Sequence, residues 1–505
     1  MKSSLLPLAT AVAVSLSPVA YATSDLNADQ EITSIRMKQI QQEEEKLKSE
    51  IKSLHSEVDQ MKKSGAGNHQ HGGCCVTVEN KEVTKVNIPS AFYFGSTPIL
   101  SAPYIGVQTM FDGAHLIVNI PSVNEDLRLL QQQQTLYNTY RDNCIPYPKN
   151  PYVQFSGKIE GAVTASTPYR DNRTSDINLV GAELDMAAVL NQWAVSFLAF
   201  VYDPAPPQPN NPPITRTANS EVYLNKGFLS IGNLNKTPLY GTIGQFVVPF
   251  GLYATNMLTP TLTAQMGQLL ERAILLGYNT GKSGPYGSIF TFRGDSGTGG
   301  TTGHINQLGL NAGYKFTYGR VKTDLGGGYI ANIADSNGMQ FNGQSSGFTG
   351  FGGSTVTEQL EHRVPAVDVR ADVAFDKYNL RAEYIDTIRA FSPLNLTYNG
   401  SGARPSALNI EASYSFLTMD HPSAVALGYG NTSEALALLI PEQRYSAVYN
   451  VAIWRHTIGT LEYRHDINYS AGATATGAGI GVNTGTPSNL GHTSDTVTAQ
   501  VGVYF

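Results

Sequence analysis

The sequence predicts an all-β transmembrane barrel of about 16 antiparallel strands, preceded by an N-terminal α-helical coiled-coil segment. Three observations predict it. From Tyr152 onward, segments of about ten residues alternate apolar and polar side chains. The connections between them alternate between short and long. The chain ends in HTSDTVTAQVGVYF, with Val497, Ala499, Val501, Val503 and Phe505 on one face. Successive strand side chains point to opposite faces, so each such segment has one apolar wall. A soluble sandwich alternates too, but nothing in it segregates loop lengths; a membrane barrel pairs short turns at one rim with long loops at the other.

Composition agrees. Charged residues are 15% of the 505, against about 25% in an ordinary soluble domain, and Tyr reaches 27 while Trp stays at 2. A net charge of −6 gives no reason to expect a nucleic-acid partner.

Taken in order, residues 1–22 have a basic start, an apolar centre and Ala20-Tyr21-Ala22, the pattern of a secretory signal peptide cut after Ala22. No later stretch reaches the ~18 consecutive apolar residues of a spanning helix, so a membrane crossing falls to strands. Residues 23–63 carry Ile40, Leu47, Leu54 and Met61 every seven residues, with Met37, Ile51 and Val58 at the complementary position and Glu44 as an interruption. So narrow a seam predicts a coiled coil that joins copies of the chain into a homo-oligomer; the alternative is a helix lying on its own barrel.

Residues 64–75 form a flexible hinge rich in His, Gly and Cys. His69, His71, Cys74 and Cys75 match no familiar zinc spacing, so no metal site is predicted. In an oxidising compartment Cys74, Cys75 and Cys144 are possible disulfide formers, one of the adjacent pair bridging to Cys144 and the other able to link protomers. Residues 76–150 are mixed. VTVENKEVTKVNI alternates, and 124–143 reads as a polar helix with Asn124 or Ser122 near its cap. The segment is too polar to span a membrane and is expected inside the barrel as a plug or beneath it.

The barrel is assigned to 151–505. Val153, Phe155, Ile159 and Val163 oppose Lys158 and Glu160. Val367, Val369, Ala371, Val373 and Phe375 oppose Asp368, Arg370 and Asp372. Leu408, Ile410, Ala412, Tyr414 and Phe416 oppose Asn409, Glu411, Ser413 and Ser415. Short turns fall at Gly319-Arg320 and Asp376-Lys377, and long loops at 204–220, 294–304, 334–359 and 470–495. The inner parity predicts a solute pathway lined by Lys158, Arg293, Lys315, Lys322, Arg370, Arg381 and Arg464. Glu160, Glu183, Asp185, Asp368, Asp372, Glu383, Glu411 and Glu462 share that face. One reading is that the charges pair across strands and keep the lumen wet. The other is that the basic subset guides an anion. No GxSxG, HExxH or phosphate-binding glycine loop is present, so no enzyme and no cofactor are predicted.

GTIGQFVVPFGLYATN (241–256) ends a strand at Pro249, and LTPTLTAQMGQLLERAILLGYNTG then fails to alternate, which predicts a loop folded inward as a constriction. The stretch resembles the GQF-x-x-PFG-L signature of phosphate-selective porins. The final Phe resembles the signal by which outer-membrane barrels are recognised by the assembly machinery. A wider resemblance rests on residues 88–134, where GSTP…PYIGV and NIPSVNEDLRLL are similar to the LbtU-family siderophore porins, outer-membrane proteins of intracellular gammaproteobacteria. That resemblance implies uptake of a ferric siderophore of polycarboxylate type across a Gram-negative outer membrane, without the plug of energy-coupled receptors. Iron would travel inside its chelator, so no cofactor is implied. A general or anion-selective diffusion porin is the first alternative, and a structural or adhesive surface protein the second.

Overall fold

The computed structural model describes residues 92–94, 97–102, 104–108, 118–119, 123–142, 151–170, 172–203, 221–281, 283–296, 304–340, 351, 360–477 and 489–505. The predicted signal peptide, coiled coil and hinge, together with Cys74, Cys75 and Cys144, lie outside them.

Four short strands come first: β1 (Phe92–Phe94), β2 (Thr97–Ser101), β3 (Val107–Gln108) and β4 (Val118–Asn119). Helix α1 (Glu125–Asp142) follows. The wall then runs β5 (Tyr152–Thr167), β6 (Thr174–Val189), β7 (Ala194–Asp203), β8 (Glu221–Gly232) and β9 (Leu239–Val247). After helix α2 (Leu262–Gly267) come β10 (Leu270–Asn279), β11 (Gly284–Phe292), β12 (Gln307–Tyr318) and β13 (Val321–Ile330). Helix α3 (Asn337–Gln340) precedes β14 (Ala366–Phe375) and β15 (Tyr378–Thr387). Loop strands β16 (Leu396–Tyr398) and β17 (Ser401–Gly402) precede β18 (Ser406–Thr418), β19 (His421–Ser433), β20 (Gln443–Trp454) and β21 (Thr457–Ile467). Loop strand β22 (Ala475–Gly477) and the last wall strand, β23 (Thr493–Tyr504), complete the order.

Consecutive wall strands pair antiparallel, and β23 returns to pair with β5, Asp495 opposite Thr167 and Tyr504 opposite Lys158. Sixteen strands therefore close a barrel, which leaves no edge in the membrane. Phe505 adds two bonds to the seam: its N–H donates to the Gly157 carbonyl at 3.0 Å, and the Gly157 N–H donates back at 2.7 Å. Below that point β2 runs parallel to the start of β5.

Connections 319–320, 376–377, 419–420 and 455–456 are two-residue turns at one rim, with Gly319, Asp376, Met419, Asp420 and His456 at positive φ, as tight hairpins require. The long connections all leave the opposite rim. The outer wall is apolar: Ile159, Val163, Ile243, Leu276, Leu310, Val369, Leu427, Leu461 and Val501 are exposed. Near the short-turn rim an aromatic row continues around it, with Tyr378 and Tyr414 at 4.9 Å, Tyr414 and Phe416 at 5.8 Å, and Phe416 and Tyr449 at 6.3 Å. An apolar band bounded by aromatics is the surface a transmembrane barrel presents to lipid.

The core lies inside the barrel, toward the long-loop rim. Phe250, Tyr253, Leu262 and Met266 of the 248–269 connection pack with Ile333, Met339 and Phe351 of the 331–365 connection, and Phe351 stacks on Phe391 at 5.4 Å.

Candidate solute pathway through the lumen

The third long connection, 248–269, turns into the barrel. Gly244 sits at φ +142, where a Cβ would come within 2.3 Å of the Gly227 carbonyl, and Gly251 at φ +80, where a Cβ would meet the Tyr253 ring at 2.3 Å. Only glycine fits either position. The GQFVVPFG stretch is thus the hinge by which the chain leaves β9 and enters the lumen.

Once inside, the connection is held by a ladder of carboxylates on the facing wall. Asp368 on β14 accepts the Gly251 N–H at 3.1 Å. Glu383 on β15 accepts the Leu252 N–H at 2.6 Å and the Tyr253 N–H at 3.3 Å. Glu411 on β18 accepts the Asn256 N–H at 2.9 Å and the Thr255 hydroxyl at 2.5 Å. Glu462 on β21 accepts the Leu258 N–H, the Thr259 N–H and the Thr259 hydroxyl. Four acids meet successive amides of one segment, so otherwise unpaired backbone donors in the barrel are satisfied by charge-assisted bonds. Arg444 donates to the Pro260 carbonyl at 3.2 Å and holds Asp466 at 2.7 Å.

The predicted pathway cations fall into distinct places. Arg381 donates to Asn256 at 2.7 Å and pairs with Asp372 at 3.0 Å and Glu411 at 3.1 Å. Arg370 pairs with Asp368 at 2.6 Å. Arg464 pairs with Asp466 at 3.1 Å and donates to Thr259 at 3.2 Å. All three brace the inward loop or its carboxylates. Lys158 pairs with Glu160 at 3.0 Å near the short-turn rim. Lys315 stands over the Tyr286 ring at 5.2 Å, with Asp324 at 3.7 Å. Lys322 is exposed on the inner parity and lines the lumen cavity.

Arg293 is a correction. On β11 the inward side chains are Phe290 and Phe292, each 1% exposed, while Ile289 faces out. Arg293 follows on the outward parity and is exposed, so it does not line the lumen.

Helix α1 closes part of the other mouth. Its first turn enters the barrel, where Glu125 meets Lys226 of β8 at 3.0 Å and Thr242 of β9 donates to Asp126 at 2.7 Å. Lys226 also holds Glu183 at 3.2 Å, and the Tyr104 hydroxyl donates to Glu183 at 2.9 Å. Burial pushes the Asp126 carboxyl up, and the Thr242 bond opposes it. Later turns cross the short-turn rim, where Gln133 donates to Gln154 at 2.6 Å and Gln134 to the Leu234 carbonyl at 3.0 Å. Asn124, at φ 55, precedes the helix and offers its carbonyl to the Arg128 N–H at 3.0 Å. Between α1 and the inward loop lies a cavity of about 470 Å³ whose lining includes Leu127, Arg128, Tyr286, Lys322 and Leu252.

Curated relatives align over most of this length. UPF0422 proteins of Legionella pneumophila strains Lens and Philadelphia 1 are each 40% identical over 419 residues, covering 82% of this chain and 78% of theirs. That of Coxiella burnetii is 37% identical over 418 residues, covering 82% of this chain and 85% of its own. The chain belongs to the UPF0422 family. No protein-family model matches it. Solved structures similar to this UPF0422 chain include the outer membrane channel DcaP of Acinetobacter baumannii, at 12% identity and TM-score 0.44 over 70% of this chain and 97% of that one. The anion-selective porin of Comamonas acidovorans stands at 10% and 0.43, over 70% and 99%. In the UPF0422 chain the lumen charges missed by sequence reasoning are Lys226 and Arg444. Both are single cations on strands otherwise rich in apolar and small residues, and a lone buried cation on such a strand was the available signal.

Proposed function

We propose that this UPF0422 chain is an outer-membrane channel of the porin type that admits a ferric siderophore of polycarboxylate type. The observation that supports a channel is the combination of an apolar outer wall with a charged inner wall and a loop folded into the lumen. Support for the cargo comes from the resemblance of residues 88–134 to siderophore porins. Lys315 and Lys322, facing the cavity between α1 and the inward loop, are cations an anionic solute would meet.

A general diffusion porin is the second reading, and a specific observation favours it. Among the predicted pathway cations on the inner wall, all but Lys322 have a carboxylate within 4 Å. Paired charges keep a pore wet without selecting strongly for one sign. Conductance of the full-length protein in planar bilayers, with ferric siderophore and then phosphate titrated in, separates the readings. Concentration-dependent block by the ferric complex alone supports the siderophore channel. A steady pore indifferent to it leaves the general porin, and normal uptake of labelled ferric siderophore by a deletion strain removes the siderophore reading.

A further inference from the structure

The displaced Arg293 leads to a feature of the barrel's outside. The β10–β11 register places Ala273 opposite Phe292, which sets Arg272 opposite Arg293 one step nearer the long-loop rim. Both arginines are exposed and on the outward parity. On the other side of β10, Arg272 stands opposite Gln245 of β9 and donates to its side-chain oxygen at 3.2 Å. The Gln245 amide is fixed in turn by its bond to the Asn225 carbonyl at 2.7 Å. The result is one polar row, Gln245–Arg272–Arg293, across three strands of an otherwise apolar wall.

Side chains directly opposite on one face have Cβ atoms about 4.5–5.5 Å apart, and like charges there repel. Among the described residues neither arginine has a carboxylate partner. Asp295 lies two residues past Arg293 but is near enough to the buried Asp335 to act on its carboxyl. The contrast is Arg404 at the same rim, which has Asp386 at 2.6 Å. Directly below the arginine row the register gives Ile243, Ile274 and Thr291, and below these Gly241, Leu276 and Ile289. Ile274 is 44% exposed and Leu276 65%. Two unneutralised guanidinium groups thus cap an apolar column on the membrane-facing surface.

From this geometry we infer that Arg272, Arg293 and Gln245 bind the phosphate headgroup of a lipid of the outer leaflet, its acyl chains lying on Ile274, Leu276 and Ile289. Guanidinium forks match phosphate oxygens two at a time, and a dianion between the arginines removes their repulsion. The boundary between cations and apolar side chains is where a headgroup meets its hydrocarbon. The inference rests on the outer-membrane placement proposed above, not on what passes through the lumen.

The test is native mass spectrometry of the full-length protein in detergent, with bisphosphorylated lipid A, monophosphoryl lipid A, phosphatidylethanolamine and inorganic phosphate as probes. Bisphosphorylated lipid A is expected to be retained best, and an R272Q/R293Q variant to retain about tenfold less, the loss of one charge-assisted contact. The R272K/R293K variant should hold an intermediate amount, and a heat-modifiable gel shift shows that each variant has folded. Equal retention by wild type and R272Q/R293Q overturns the inference. So does displacement of the lipid by inorganic phosphate, which would make the row a simple anion site. Bilayer conductance of R272Q/R293Q should match wild type. Absence of a pore in both would remove the channel reading while the lipid result stood by itself.

Discussion

Lys226 of β8 and Glu125 of α1 meet at 3.0 Å in the interior of the barrel, with side chains 2% and 4% exposed. The pair ties a segment that precedes the barrel in sequence to the inside of its wall. Truncating one partner of a buried ion pair costs about 3–5 kcal/mol, because the other charge is left uncompensated. K226M should be the more damaging change, since Lys226 also neutralises Glu183. E125Q leaves Lys226 with Glu183 and should cost less. Trypsin cleavage at Arg128 and Arg141 reads the release of α1, and conductance in the same preparations should rise as the helix leaves the mouth. Cleavage and conductance identical to wild type in K226M would show that the helix is held elsewhere.

The carboxylate ladder makes a graded prediction. A hydrogen bond to a charged group contributes about 1.5–3 kcal/mol, so E411Q and E462Q should each loosen the inward loop by about that much. The expected record is a noisier channel with more frequent substates in both variants. Quiet, wild-type traces in E462Q would mean that the loop keeps its place without the ladder.

Gly251 predicts a backbone effect separable from charge. With φ at +80 and the Tyr253 ring in the space of a Cβ, G251A should shift the loop where it first reaches Asp368. The cost of a non-glycine residue in such a conformation is about 1–3 kcal/mol. The resulting channel should resemble D368N in conductance, because both changes loosen the same contact.

Asp335 gives a pH dependence. It lies in the 331–365 connection, and burial pushes its carboxyl up to about 6 despite bonds from the Ser296 N–H at 2.9 Å and hydroxyl at 2.6 Å. A carboxyl raised above its unfolded value of 3.8 binds more protons in the folded state. Its contribution is therefore fully present below about pH 4 and declines as pH rises through about 6, by about 3 kcal/mol in all. Hydrogen exchange of the Ser296 amide should accelerate over that window in wild type and much less in D335N. A slower exchange with rising pH would reverse the sign and refute the assignment.

Lys322 is the pathway residue whose change should alter selectivity without unfolding anything, being exposed and free of an ion pair among the described residues. K322E should lower the anion-to-cation permeability ratio by about twofold, as expected for one charge in a screened pore. A reversal potential unmoved by K322E would place the permeating path away from β13.

Alternation along the strands by itself determined the barrel, because a period of two fixes which side chains share a wall whatever the neighbours are. Ile159 against Lys158, Val369 against Arg370 and Leu461 against Glu462 stand as the pattern requires. Pro249 and the break in alternation after it likewise predicted an inward loop. What alternation leaves open is which wall is the inside when both are apolar. On β11, Phe290 and Phe292 face an interior packed by the inward loop and the 331–365 connection, so polarity pointed Arg293 the wrong way. Nor does a strand's own pattern show that Asp368, Glu383, Glu411 and Glu462 converge on one segment more than a hundred residues earlier. That convergence is a product of strand register and barrel closure, and only the tertiary structure brings those carboxylates to the amides they hold.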